Sequence, residues 1–294
     1  MKYALVVFAV ALASFAFLIQ DRGEASEPAE GERFTIVVLP DTQFYSEKHP
    51  MIFSNQTGWI ADQADEMNIA FVIHLGDIVQ HASSLEEWLN ANESMSLLDG
   101  KVRYSVLPGN HDMPTVHYNN FFPPSRFEAM GGYGNFTGNE NSYHLFTAGG
   151  TDYLILSLAA CPSDEAITWG NRVLAEHRGR RAVVATHAYM DEDGNRKVHT
   201  CGDMEYLWEG LVEPNENVFM ALSGHVHGEG MLKSRAGSRE VIQLLSDYQS
   251  RENGGDGYLR IMEFTAGGEV RVSTYSPYLG RFEDDGDSSF GFSL

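Results

Sequence analysis

Residues Ile36–Gln43 read IVVLPDTQ. An apolar, β-branched run stops at Pro40, and Asp41 and Gln43 follow two positions apart. The run has the character of a buried strand, and a core has no use for a carboxylate and an amide directly after it. Four other strand-like runs finish in the same way. Ala70–Leu75 leads into Gly76-Asp77-Ile78-Val79-Gln80, and Val102–Leu107 into Pro108-Gly109-Asn110-His111-Asp112. Ala182–Thr186 leads into His187, and Val218–Ser223 into Gly224-His225-Val226-His227. In α/β sheets, side chains just past the carboxyl ends of strands converge on one crevice.

The segments between these strands fit that architecture. One places Ile52, Trp59, Ile60, Ala64 and Met67 roughly on one helical face. The next opens on the capping box Ser84-Leu85-Glu86-Glu87 and sets Leu85, Trp88, Leu89, Met95 and Leu98 at helical spacing before Gly100. Tyr153–Leu158 is a further strand. Toward the end the pattern becomes hairpin-like, with Val241–Leu245, Tyr258–Phe264 and Val270–Tyr275 as strands and Gly267-Gly268 as a turn. An α/β domain with an added β portion is expected, in one piece over 34–294, with the Trp, Leu and Met stripes as core.

Carboxylates, amides and neutral imidazoles together suit borderline divalent metals. Asp41, Gln43, Asp77, Asn110, His187, His225 and His227 make seven ligand-type residues, more than one ion needs. Seven ligands with a carboxylate able to bridge imply a pair of ions about 3.5–4 Å apart, the spacing that clamps both oxygens of a phosphoryl transfer.

With GD-x-x-[Q/N], GNH[D/E] and GH-x-H in this order, each after a strand, the chain resembles the calcineurin-like metallophosphoesterase family from about Phe34 to at least His227. The resemblance implies a single-domain α/β fold, a two-sheet β-sandwich flanked by helices in an αββα arrangement. It also implies roles. Asp41, Gln43, Asp77 and His227 would hold one divalent ion, and Asp77, bridging, with Asn110, His187 and His225 the other. His111 would protonate the leaving oxygen, oriented by a neighbouring carboxylate, and a metal-bound hydroxide would attack a small phosphomonoester or phosphodiester. The two ions would be Mn, Fe or Zn.

The family's first motif usually reads Asp-x-His, and here glutamine stands second. An amide oxygen is a harder, weaker donor than imidazole. Gln43 either ligates a harder ion such as Mn²⁺ or hydrogen-bonds a metal-bound water; glutamine also occurs here in other members of the family. The rival reading is a non-catalytic metal-containing binding protein of the same fold. Gln80 stands where purple acid phosphatases carry the tyrosine that binds ferric iron, so a tyrosinate site is not expected.

The formal net charge of −21 repels polyanions. A nucleic acid is therefore an unexpected partner, and a nuclease a less favoured alternative function. Lys2, the uncharged run Tyr3–Ile19 and the Gly23-Glu24-Ala25 triplet before Ser26 read as a signal peptide over 1–25, followed by a flexible lead-in over 26–33. The protein is thus expected to be exported, periplasmic or extracellular, with no stable membrane span unless the N-terminal segment is retained as an anchor. Cys161 and Cys201 either pair in that compartment or remain separate thiols.

Other polar residues are weighed against simpler roles. His74, inside a strand, reads as a core histidine, and His81 as part of a surface loop. Tyr189–Asp203 reads as a rim that shapes access. Asp247-Tyr248-Gln249 follows a strand and is a candidate for substrate contact.

Overall fold

A computed structural model describes residues 33–265 and 267–294. The expected signal peptide and flexible lead-in, Arg33 excepted, lie outside the described residues. Two seven-stranded sheets stack face to face. The first contains β1 (Phe34–Leu39), β2 (Ile69–His74) and β3 (Tyr104–Ser105), all parallel, continued antiparallel by β13 (Leu259–Phe264), β14 (Glu269–Ser276), β15 (Arg281–Phe282) and β16 (Ser289–Ser293).

The second sheet runs β11-β12-β10-β7-β6-β5-β4. Its parallel centre is β6 (Thr151–Leu158), β7 (Arg181–Thr186), β10 (Val218–Ser223) and β12 (Arg239–Asp247). β4 (Tyr133–Phe136), β5 (Asn141–Ala148) and β11 (Gly228–Ala236) are antiparallel edges. A small hairpin, β8 (Lys197–Val198) and β9 (Gly202–Asp203), stands apart from both sheets.

The alternation of strand side chains builds the layers. From β1, Phe34, Ile36 and Val38 enter the core between the sheets with Ile155, Val183, Met220 and Leu244. Val37 and Leu39 point the other way, onto α2 (Pro50–Gln63) and α3 (Leu85–Ser96), where Phe53, Ile60, Trp88 and Met95 meet them. The outer face of the second sheet packs its Leu154, Leu156 and Val184 against Trp169, Val173 and Leu174 of α6 (Asp164–Glu176). The result is the αββα arrangement expected. Shorter helices include α1 (Gln43–Lys48), α4 (Val116–Phe121), α5 (Pro124–Glu128) and α7 (Glu205–Leu207), the last running into a π-helical turn over Trp208–Val212. Among the described residues no helix is long and apolar enough to cross a membrane.

Two local readings are corrected. The apolar stripe expected on α3 is rotated: Trp88 and Met95 are buried, but Leu85 and Leu89 are 54% and 52% exposed. Glu87 takes an inward place instead, because its carboxylate accepts the amides of Gln80 and His81, both at 2.8 Å. It does not reach back to Ser84, so only half of the capping box forms: Ser84 Oγ accepts from Glu87 N. The strand expected over Val102–Leu107 shrinks to two residues, since β3 is an edge with a parallel partner on one side only.

Candidate metal centre

The carboxyl ends of β1, β2, β7, β10 and β12 open on one crevice, where the chain takes unusual turns to present its ligands. Asp77 and His225 lie in the left-handed region, at φ 47° and 69°, a conformation rare for non-glycine residues and concentrated at functional sites. Two glycines are sterically required beside them. A Cβ on Gly109 would stand 2.1 Å from Asp77 Oδ1, and one on Gly224 would stand 2.2 Å from Asp41 Oδ2.

Four of the expected ligands meet at one point. His187 Nε2 lies 3.0 Å from Asn110 Oδ1, 3.1 Å from His225 Nδ1 and 3.3 Å from Asp77 Oδ2. On its other side His187 Nδ1 donates to Leu75 O at 2.9 Å, which turns Nε2 inward, the orientation of a ligating imidazole. Asp41 adjoins this group: its two carboxylate oxygens accept from His225 N at 3.2 Å each, and Oδ1 lies 3.7 Å from His187 Nδ1. Gln43 opens α1 and is buried, and its Oε1 has no hydrogen-bond partner. His227 is exposed at the rim, outside the tight group formed by Asp77, His187 and His225.

The electrostatics of this crevice favour cations. Burial opposes charge on His187, yet Asp77 and Asp41 push its imidazole up to about 10. Burial also opposes ionisation of Asp77, but His187 holds its carboxyl below the ordinary range. Asp41 is raised well above that range, by burial first and then by the facing Asp247. His225 is lowered to about 4 by burial and then by His187. A buried carbonyl oxygen lacking a donor, beside clustered carboxylates and imidazole nitrogens, fits the demands of divalent ions.

His111 stands at the edge, half-buried. Its amide donates to Asp77 Oδ1 at 2.9 Å, and its Nδ1 donates to Gln80 O at 2.9 Å. The carboxylate expected to orient this ring is therefore replaced by a backbone carbonyl. The neighbouring carboxylate, Asp112, serves the loops instead. Fully buried, it accepts from Ile78 N (2.9 Å), Val79 N (3.0 Å) and Gly109 N (2.8 Å), joining the segments after β2 and β3. Its residue type was legible in the motif, but this joining role was not.

Asp247 ends β12 opposite Gly228, buried, with Oδ1 and Oδ2 accepting from Gln249 N and Nε2. Its strand-end position was the signal available in sequence. His74 is a core histidine as read: Gly76 N donates to its Nδ1, and its Nε2 donates to Thr42 Oγ1. His81 sits on Glu87 at 2.9 Å, away from the crevice. Cys161 and Cys201 are joined in a disulfide.

A second acidic group, Glu229, Glu283 and Asp285, is already largely neutralised by arginines. Arg260 donates to Glu229, and Arg251 bridges Glu229 and Glu283.

A two-sheet sandwich with helices on both outer faces, and carboxylate, amide and imidazole donors gathered at the strand ends, defines the metallophosphoesterase class. Residues 34–229 match the model of the calcineurin-like phosphoesterase family. The chain belongs to that family. It is 39% identical over 268 residues to the YvnB protein of Bacillus subtilis (strain 168), a match that covers 86% of this chain and 20% of that protein's length.

Among solved structures, a purple acid phosphatase, PPD1, from yellow lupin (Lupinus luteus) seeds is similar with a TM-score of 0.61 at 13% identity, over 90% of this chain and 55% of the lupin chain. A dimetal phosphatase from Danio rerio is similar with a TM-score of 0.57 at 14% identity, over 88% of this chain and 98% of the other. At these identities the likeness is one of fold.

Proposed function

We propose that the protein is an exported phosphoesterase with two divalent ions, acting on small phosphomonoesters or phosphodiesters. Asp41, Gln43, Asp77 and His227 would hold one ion, and Asp77, Asn110, His187 and His225 the other. The observation that carries this reading is the convergence of Asp77, Asn110 and His225 within 3.3 Å of His187 Nε2. When bound, two such ions would supply Lewis acidity, lowering the pKa of water and neutralising charge on the phosphoryl group.

The chain's own residues supply the rest. With Nδ1 fixed on Gln80 O, His111 exchanges its proton through Nε2, the atom free to meet a leaving oxygen. Asp112 keeps the loops bearing Asp77 and His111 in one register. Charge of −21 favours small substrates over polyanions. The N-terminal apolar run and the disulfide both support export to an oxidising compartment, and mature protein beginning near Ser26 would bear that out.

The decisive assay is hydrolysis of bis-p-nitrophenyl phosphate and p-nitrophenyl phosphate by Mn²⁺-loaded protein beside a chelated control. Turnover dependent on metal is expected, and the ratio of the two rates reports diester against monoester preference. No turnover of either ester, with bound metal verified, overturns the catalytic reading in favour of a metal-containing binding protein.

A further inference from the structure

Thr200 lies on no sheet of the sandwich and is exposed, yet its hydroxyl oxygen is 2.6 Å from His225 Nε2. His225 is thus gripped on both ring nitrogens, with Nδ1 turned to His187 Nε2 at 3.1 Å. An imidazole that ligates through one nitrogen has its tautomer and ring angle set by the bond at the other. With Nε2–H donating to Thr200, the lone pair of His225 is confined to Nδ1 and faces the cluster.

Thr200 occupies the tip of the β8–β9 hairpin, whose two strands pair over only two residues each. The base of the hairpin is anchored by Arg196, which donates to Gln243, Ser234 and Glu205. The tip is held differently. The next residue, Cys201, is bonded to Cys161, 40 positions earlier on the loop that follows β6, with a Cα–Cα distance of 5.2 Å. The disulfide therefore ties the tip to the body of the second sheet directly beside the residue that orients His225.

We propose that Thr200 is a positioning residue for His225 and that the Cys161–Cys201 disulfide fastens it there, so that ion retention at the Asp77–Asn110–His187–His225 group depends on this strap. The inference rests on the reading of that group as a divalent-ion site. Loss of a partner that orients a ligating histidine lowers metal affinity roughly 10- to 100-fold. The hydroxyl is what matters, so Thr200→Ser should retain affinity where Thr200→Val, of similar shape, loses it. A merely structural strap would change unfolding without changing affinity.

The test is a Mn²⁺ binding isotherm, read from free Mn²⁺ by electron paramagnetic resonance, on the full chain. Wild type, Thr200→Ser, Thr200→Val and the Cys161→Ser/Cys201→Ser pair are compared, each with a thermal melt of the metal-free protein. A loss of about tenfold or more in one binding step for Thr200→Val, and for the cysteine pair if it folds, with Thr200→Ser near wild type, is the expected result. Thr200→Val keeps the disulfide, so it decides the positioning role of Thr200 even if the cysteine pair fails to fold. Wild-type affinity in a folded Thr200→Val overturns the positioning role alone. Absence of Mn²⁺ binding by wild type overturns the metal reading itself, and this inference with it.

Discussion

The Asp112 carboxylate reaches Ile78 N at 2.9 Å across 34 residues of sequence, fully buried, and it also holds Val79 N and Gly109 N. One side chain thereby sets the spacing between the loop that carries Asp77 and the loop that carries Asn110 and His111. Burial and then the charge of Asp77 push its carboxyl up to about 7, and the three donors work against that rise.

Asp112→Ala leaves three buried amides without an acceptor, at roughly 1–3 kcal/mol each. A loss of at least about 3 kcal/mol in urea unfolding is expected, with a collapse of turnover because Asp77 and His111 lose their common frame. Asp112→Asn keeps one oxygen acceptor and should fall between. A loss below about 1 kcal/mol for the alanine variant would show that the amides find other partners.

Gln43 Oε1 is a buried oxygen with no donor, so its presence weighs against the metal-free fold. In chelated protein, Gln43→Met should be neutral or stabilising by up to about 1 kcal/mol, because the unpaired amide is removed. In Mn²⁺ the order reverses if Gln43 ligates: each tenfold loss of affinity removes about 1.4 kcal/mol of metal-linked stability. Thermal melts with and without Mn²⁺ decide it, and an identical Mn²⁺ shift in both proteins rules out direct ligation.

His111→Ala should bind metal as wild type does, since the ring contacts Gln80 O and not the converging ligands. Its rate should drop by about 10²- to 10⁴-fold for esters with poor leaving groups and far less for p-nitrophenyl esters, which depart without a proton. Equal losses for both kinds of ester would contradict a proton-donating role.

Away from the crevice, His144 is fully buried among Phe71, Phe127 and Tyr133, with neither ring nitrogen hydrogen-bonded. Burial, then the charge of Arg103, lowers its pKa to about 3 from 6.5. The unfolded chain takes up this proton below about pH 6.5 while the folded one does not. Stability is therefore full above that pH and is lost as pH falls toward 3, by up to about 1.4 kcal/mol per pH unit. His144→Phe should remove about one proton from the linkage between roughly pH 4 and pH 6.5, seen as a shallower slope of urea-derived stability against pH. An unchanged slope would mean that His144 already titrates in the folded protein.

Much of the fold is local in origin and was legible. The buried runs at β1, β2, β6, β7 and β10 announce themselves because a strand covered on both faces must be continuously apolar, and their polar endings locate the crevice by topology alone. Edge strands were harder to see. β4, β5 and β11 carry mixed residues such as Tyr133–Phe136 and Gly228–Ala236, half-exposed and without a strict alternation. The orientation of α3 was misread for another reason: which face turns inward was decided by amides of the preceding loop needing Glu87, a tertiary demand that outweighs two exposed leucines.

Sequence by itself determined the inventory of the centre: which donors exist, the order in which strands deliver them, and the family they mark. Tertiary structure alone decided how they are held. The Gln80 carbonyl behind His111, the Asp112 staple, the approach of Asp247 to Asp41 and the Thr200–His225 contact secured by Cys161–Cys201 join positions tens of residues apart. Such pairings depend on where loops close in space, and no periodicity or motif encodes that, because hydrogen bonds and disulfides form between neighbours in the fold and not between neighbours in the chain.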